Sequence, residues 1–205
     1  MSKVAWKGGT LLAPVPPVLV SVGDGEKSNV FTVAWTGLIN TQPPKTYISV
    51  RPSRYSYDFI KSTDEFALNL TPASLVRAAD WCGIHTGRKV DKFKKMNLTP
   101  VPASKISAPI IEECPLSLEC RVFDVKELGT HHMFLADIVA VDVDGELIDS
   151  KGKLHIDRAD LAAFAHGEYF SLGKSLGTFG FSVKKKKKRT SPAGSKPVDK
   201  THRKV

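Results

Sequence analysis

What most constrains this chain is the shortness of its apolar runs. Val18 to Val22, Asn29 to Thr36 and Thr46 to Arg51 are rich in Val, Ile, Thr and aromatic residues, and clusters of Gly or Pro separate them. Such runs read as β-strands, because branched and aromatic side chains pack well on a pleated surface while Gly and Pro end it. Glu65 to Leu70, Leu116 to Val125 and His132 to Val143 repeat the pattern, and Asp144-Gly145 followed by Glu146 to Asp149 predicts a two-residue hairpin turn. Helical spacing is confined to short pieces. Tyr55 to Ser62 puts Tyr55, Phe59 and Ile60 on one face with Ser53 or Ser56 as N-cap, and Ser74 to Cys82 predicts a second helix stopped by Gly83. Single helical turns are expected at Val90 to Lys94 and Leu161 to Phe164. The strand–helix alternation of a doubly wound sheet is absent, so the expected fold is mainly β, a predominantly antiparallel barrel with short helices covering its ends.

The formal net charge of +9 suggests a nucleic-acid partner until it is divided along the chain. From Lys184 onward ten Lys/Arg face the single Asp199, so the whole excess sits there and residues 1–183 are neutral. The run Lys184 to Lys188 with Arg189, followed by Thr, Ser, Pro and Gly, cannot bury enough apolar surface to offset its ordering entropy. One folded domain over 1–183 and a disordered basic tail over 184–205 are therefore expected. Solubilisation, or weak attachment to nucleic acid or an anionic membrane, are the roles open to the tail. A neutral body with aromatics spread through its strands argues against a specific nucleic-acid-binding module.

The longest apolar stretch, Leu11 to Val22, is interrupted by Pro14, Pro16 and Pro17 and is too short to span a bilayer. The N-terminal residues lack the charged-then-apolar layout of a secretory signal, and Cys82, Cys114 and Cys120 are odd in number with no C-x-x-C pair. A reducing cytoplasm is expected, and a zinc site is not.

Several chemistries are excluded by missing motifs: there is no G-x-G-x-x-G after a strand, no P-loop, no G-x-S-x-G elbow and no H-E-x-x-H. What is present is hydroxyls and guanidinium groups at a strand-to-helix joint. Ser49, Arg51, Ser53, Arg54 and Ser56 lie where free backbone N–H groups and the helix dipole favour an anion, and the arginine fork suits phosphate. The alternative is that the serines cap the helix and the arginines stand in solvent. In the loop Cys82 to Phe93, two glycines let backbone amides approach an anion and Lys92 can neutralise it, the alternative being a helix stop with a solvated basic loop. Cys82 reads as a buried thiol whose pKa an electropositive loop would lower. In Gly129-Thr-His-His-Met-Phe134 the adjacent histidines point to opposite faces of a strand, so at most one serves a given pocket, and no metal ligation is expected there. A position without chemistry is the plain alternative for His131.

Asn29 to Gly37, Ile48 to Ser56, Glu65 to Leu70, Cys82 to Phe93 and Gly129 to Phe134 occur in the order expected of flavin reductase-like proteins. Over roughly residues 10–183 the chain resembles this FMN-binding split-barrel family, its flavoredoxins most closely. The resemblance implies a split barrel, a Greek-key antiparallel barrel that binds FMN and acts as a homodimer with the flavin near the subunit interface. Thr32, Val33, Ala34, Trp35 and Thr36 would line the isoalloxazine ring; Ser49, Val50, Arg51, Arg54, Tyr55 and Ser56 would surround the ribityl chain and phosphate. Asn69 and the loop residues Cys82, Gly83, Thr86, Gly87, Asp91, Lys92 and Phe93 would complete the site. Where the family commonly has Gly-Asp-His this chain has Gly129-Thr130-His131, so the histidine implied at the nicotinamide docking face is kept and the acid is not. The implied activity is transfer of hydride from NAD(P)H through bound FMN to a flavin or protein acceptor. The alternative is an electron carrier reduced by a protein partner, with little NAD(P)H activity.

Overall fold

The computed structural model of the chain describes residues 1–184. It is mainly β. The strands β1 (Val18–Gly23), β2 (Ser28–Val33), β3 (Thr36–Thr41) and β4 (Pro44–Val50) come first, and α1 (Tyr55–Thr63) leads to β5 (Glu65–Leu70). Two helices follow, α2 (Val76–Ile84) and α3 (Lys92–Met96), then the paired two-residue strands β6 (Pro100–Val101) and β7 (Ile110–Ile111). The long strands β8 (Leu116–Glu127) and β9 (His132–Val143) complete an antiparallel sheet of order β2-β1-β5-β8-β9-β4-β3, and β10 (Ala162–Ala165) and β11 (Glu168–Ser171) form a separate hairpin.

The two edge strands of the main sheet are consecutive in the chain, with Ala34 and Trp35 alone between them. The N–H of Ser49 donates to the Trp35 carbonyl at 2.9 Å, stitching this seam to β4. Phe31 and Val33 of β2 therefore share one buried cluster with Ile48 and Val50 of β4 and with Phe66 and Phe134 between. A flat sheet of this strand order would hold those side chains apart; a sheet curled into a barrel brings them together. Ile60 of α1 packs into the same cluster. Outside the barrel wall a second cluster joins Leu19 and Val30 to Ala79, Cys82 and Phe93 of α2 and α3. Alternation explains why every residue of β1 is buried: Val18, Val20 and Val22 face the interior, while Leu19 faces the helices.

Several local expectations are corrected. Asn29 to Thr36 is not one strand but breaks at Ala34-Trp35, where the chain passes from one sheet edge to the other. Asp144-Gly145 makes no hairpin: Asp144 Oδ1 accepts the Glu146 N–H at 2.9 Å and starts a 3₁₀ turn, because both sides of β9 are already occupied by β8 and β4. Leu161 to Phe164 is extended instead of a helical turn, Leu161 bridging to Pro72 and the rest lying in β10, and β10 turns into β11 through His166-Gly167, whose φ values of 49° and 91° suit a primed hairpin turn. Gly83 does not stop α2 but lies in its last turn, where a Cβ would meet Thr32 Cβ at 3.3 Å. Neither Ser53 nor Ser56 caps α1: its N-cap is Arg54, without a side-chain cap. The turn expected at Val90 to Lys94 is α3, capped by Asp91.

The chain divides into Met1–Gly173 and a second unit that begins at Lys174. The described part of that second unit holds one 3₁₀ turn, Phe181–Val183. The tail expected to be disordered lies, from 185 on, outside the described residues. No helix among the described residues is long and apolar enough to cross a membrane.

Candidate functional site

Where β2 and β4 end and α1 begins, the barrel wall opens into a cleft of about 480 Å³. Thr32, Val33, Ala34 and Trp35 of the seam form one side of it, and Ser49, Val50, Arg51, Ser53, Arg54, Tyr55 and Ser56 form another. Thr86 and Gly87 after α2, Lys92 of α3 and His131 before β9 complete the lining. Antiparallel register explains the meeting of distant residues: Val50 pairs with His132, so the end of β4 and the start of β9 share one rim.

Among the described residues no carboxylate lines this cleft, and its cations are under-partnered there. Lys92 is 3% exposed, and its ammonium donates to the Cys82 carbonyl at 2.8 Å. Burial, with Arg54 adding to it, pushes its pKa down to about 8. A desolvated cation held by one neutral carbonyl lacks the counter-charge that normally offsets burial. Arg54 Nη1 donates to the Gly83 carbonyl at 2.8 Å, whereas the Arg51, Ser49 and Ser53 side chains make no hydrogen bond among the described residues. The first turn of α1, uncapped by a side chain, adds open backbone donors. The arrangement can hold a multi-oxygen anion, and its volume lies within the range of sites for cofactor-sized ligands.

The loop after α2 is pressed against this donor set. A Cβ on Gly87 would fall 2.2 Å from Asn29 Oδ1 and 2.7 Å from Tyr55 Cδ1. Asn29 Nδ2 in turn donates to Ser56 Oγ at 2.7 Å in a buried contact. Asn29, Phe31 and His85 line the cleft without having been singled out from sequence. An amide side chain near the start of a mostly apolar strand was the available signal for the first.

Six residues expected at the site lie outside its lining. Asn69 is fully buried, with Nδ2 donating to the Leu19 carbonyl and Ser21 Oγ while Oδ1 accepts from Ile111 N–H and Ser117 Oγ. It ties β1, β5, β7 and β8 together. Thr36 donates to the Tyr47 carbonyl at 2.6 Å, Asp91 caps α3, and Phe93 packs in the second core. Cys82 and Gly83 act through their carbonyls, which hold Lys92 and Arg54. The Cys82 thiol is pushed up to about 11 by burial, which outweighs the opposing pull of Lys92. The lowered pKa expected from an electropositive loop is thereby reversed. Thr32 lines the cleft, yet its hydroxyl is spent on the Ala79 carbonyl.

The two histidines separate as strand geometry requires. His131 lies at the cleft, with Nδ1 2.9 Å from Thr130 Oγ1, and desolvation followed by the charges of Arg51 and Arg54 lowers its pKa. His132 turns the other way, its Nδ1 2.8 Å from the Tyr57 hydroxyl. Among the described residues no group of three or more His, Cys, Asp or Glu is placed to hold a metal ion.

Comparison with known proteins places this geometry in a group. The chain superimposes on the flavoredoxin of Desulfovibrio vulgaris (Miyazaki F) with a TM-score of 0.83 and 31% identity, covering 89% of this chain and 100% of that one. The flavoredoxin of Methanosarcina acetivorans gives a TM-score of 0.79 and 26% identity over 90% of this chain and 100% of that one. An NADPH-flavin oxidoreductase of Streptomyces viridifaciens is 28% identical over 156 residues, which is 73% of this chain and 78% of the relative. Residues 11–173 match the family model of the flavin reductase like domain, and the chain belongs to that family.

Proposed function

We propose that the chain is an FMN-binding oxidoreductase that takes hydride from NAD(P)H and passes electrons to a flavin or protein acceptor, working as a cytoplasmic homodimer. The observation that carries the reading is the buried, carboxylate-free cation at Lys92, which a phosphate monoester would complement. Bound flavin supplies the redox chemistry, accepting two electrons as hydride and releasing them to the acceptor.

The chain's own residues do the rest. Lys92, Arg51 and Arg54 hold the phosphate, with the hydroxyls of Ser49, Ser53 and Ser56 nearby. Ala34 and Trp35 lie between two strands, outside both ladders, and their N–H groups are fixed donors for negative charge placed beside them. Trp35 and Phe31 provide apolar surface that excludes water from the ring. His131, neutral at ordinary pH, offers a hydrogen bond to the nicotinamide amide at the cleft rim. One observation favours a second reading, the electron carrier reduced by a protein: Thr130 sets the orientation of His131 where an acid would carry charge, leaving less to hold a nicotinamide.

The absorbance spectrum of purified protein tests the class. A flavin spectrum, with FMN released on denaturation, is expected; a colourless protein that fails to bind added FMN overturns the reading.

A further inference from the structure

Trp35 lines the cleft and also a second cavity, of about 310 Å³. The other walls of that cavity come from two segments far apart in the chain: Thr10 to Ala13 with Val15, and the β10–β11 hairpin through Phe164, His166 and Gly167. A closed pair of backbone hydrogen bonds fixes these walls against each other, Val15 N–H donating to the Phe164 carbonyl at 2.9 Å and Phe164 N–H to the Val15 carbonyl at 2.8 Å. The Phe164 ring is held edge-on by Tyr169, with centroids 5.1 Å apart, and the Tyr169 hydroxyl donates to Asp80 of α2 at 3.3 Å. The cavity is thus built wholly within Met1–Gly173, and its volume suits a small ligand.

Charge separates the two recesses. Lys92, Arg51 and Arg54 line the cleft, whereas among the described residues no Lys, Arg, Asp or Glu lines the second cavity. An anionic nucleotide would lose hydration there with no cation to replace it. Trp35 and Phe164 instead offer aromatic surface for a flat ring. The polar side chains of the lining, Thr10 and His166, make no hydrogen bond among the described residues, and each can donate one. We propose that this cavity binds an uncharged quinone of one or two rings, packed against Trp35 and Phe164, with its oxygens accepting from the Thr10 hydroxyl and the His166 imidazole. A quinone only accepts hydrogen bonds, which matches walls whose free polar groups donate. The site is separate from the anion-binding donors of the cleft, so its occupancy does not depend on what the cleft holds.

Equilibrium dialysis of the full chain against duroquinone, which has no free ring position for a thiol to add to, tests the proposal. Binding at a single saturable site is expected, unchanged by saturating FMN. Thr10→Val removes one donor at constant shape from an exposed position and should weaken binding about fivefold. Phe164→Leu removes an aromatic wall while keeping it apolar and should cost about as much. FMN titrations of both variants should match the parent. Absence of saturable binding up to the solubility of the quinone overturns the proposal, as does binding that both variants leave unchanged. Displacement of the quinone by FMN or by naphthalene-2-sulfonate, a flat anion, would assign it to the cleft and overturn the proposal too. Dissociation of an oligomer by Phe164→Leu, read by light scattering at matched concentration, would assign the hairpin to a contact between copies, with the same consequence.

Discussion

Gly87 lies so close to Asn29 that a Cβ on it would fall 2.2 Å from Oδ1. Asn29 cannot retreat without giving up its buried 2.7 Å bond to Ser56, and Tyr55 blocks the other side. Gly87→Ala should therefore move the loop off the cleft, costing about 1–3 kcal/mol. Flavin titration should show weakened affinity, and thermal unfolding a lowered Tm. An alanine variant with the affinity and Tm of the parent would mean that the loop does not have to sit this close.

Lys92→Ala should lower FMN affinity roughly tenfold or more, since a buried charge-assisted contact is worth about 1.5–3 kcal/mol. Arg51→Ala should cost less, because its guanidinium is exposed and screened. Unchanged titration curves for both variants would remove them from the phosphate site.

Lys92 also gives a pH signature. Its folded pKa of about 8 lies below the ordinary 10.5. Anion binding favours the ammonium form, so FMN affinity should be flat below pH 8 and fall as pH rises above it. Lys92→Gln should lose that dependence. For the unliganded chain the sign is opposite: between 8 and 10.5 the unfolded state binds more protons, so stability should rise with pH across that window. Titrations and melts over pH 7 to 10 check both, and a falling melt curve that tracks Lys92 would refute the assignment.

His131 should affect nicotinamide reaction more than flavin retention. Because desolvation and then Arg51 and Arg54 hold its pKa below the ordinary 6.5, it stays neutral through physiological pH, and any protonation-linked loss of rate should appear only below that value. Anaerobic stopped-flow reduction by NADH and NADPH, comparing the parent with His131→Ala, separates the two functional readings. Fast reduction slowed by the substitution supports docking at His131. Slow reduction of the parent by both nucleotides supports the electron carrier.

Asn69 should prove a stabiliser of the barrel. Asn69→Ala orphans four partners on three neighbouring strands in a fully buried position, which should cost about 3 kcal/mol or more of stability. The folded fraction should still bind FMN with parental affinity. Loss of affinity at full stability would return Asn69 to the site.

Strands β1, β5 and β9 and helix α1 can be read directly from the sequence, because each carries a single period and is bounded by Gly, Pro, Asp or Ser. Features decided by distant neighbours cannot. Asp144-Gly145 has hairpin chemistry, yet β9 has no vacant side for a following strand. The break at Ala34-Trp35 carries no Gly or Pro to announce it, because closure of the barrel makes it. The site divides along the same line. Residues at strand ends, in loops and in the first turns of helices, such as Arg51, Gly87, Ser56 and Lys92, converge as their chemistry suggests. For Asn69, Thr36 and Phe93 the sequence places the residue but not the direction of its side chain, which the curvature of the sheet and the packing of α3 determine.

The three cysteines of the chain are all buried as free thiols. Burial pushes Cys82 up to about 11 and Cys114 up to about 12, and it raises Cys120 as well. The thiolate is the form that oxidants attack, and here it is scarce at neutral pH. Electron-rich flavins react with dioxygen to give hydrogen peroxide, so a protein that carries one works beside a source of its own damage. This chain keeps its thiols in the protonated, inaccessible form. Peroxide at doses that oxidise ordinary surface thiols should therefore leave its thiol count intact until the fold is opened by denaturant.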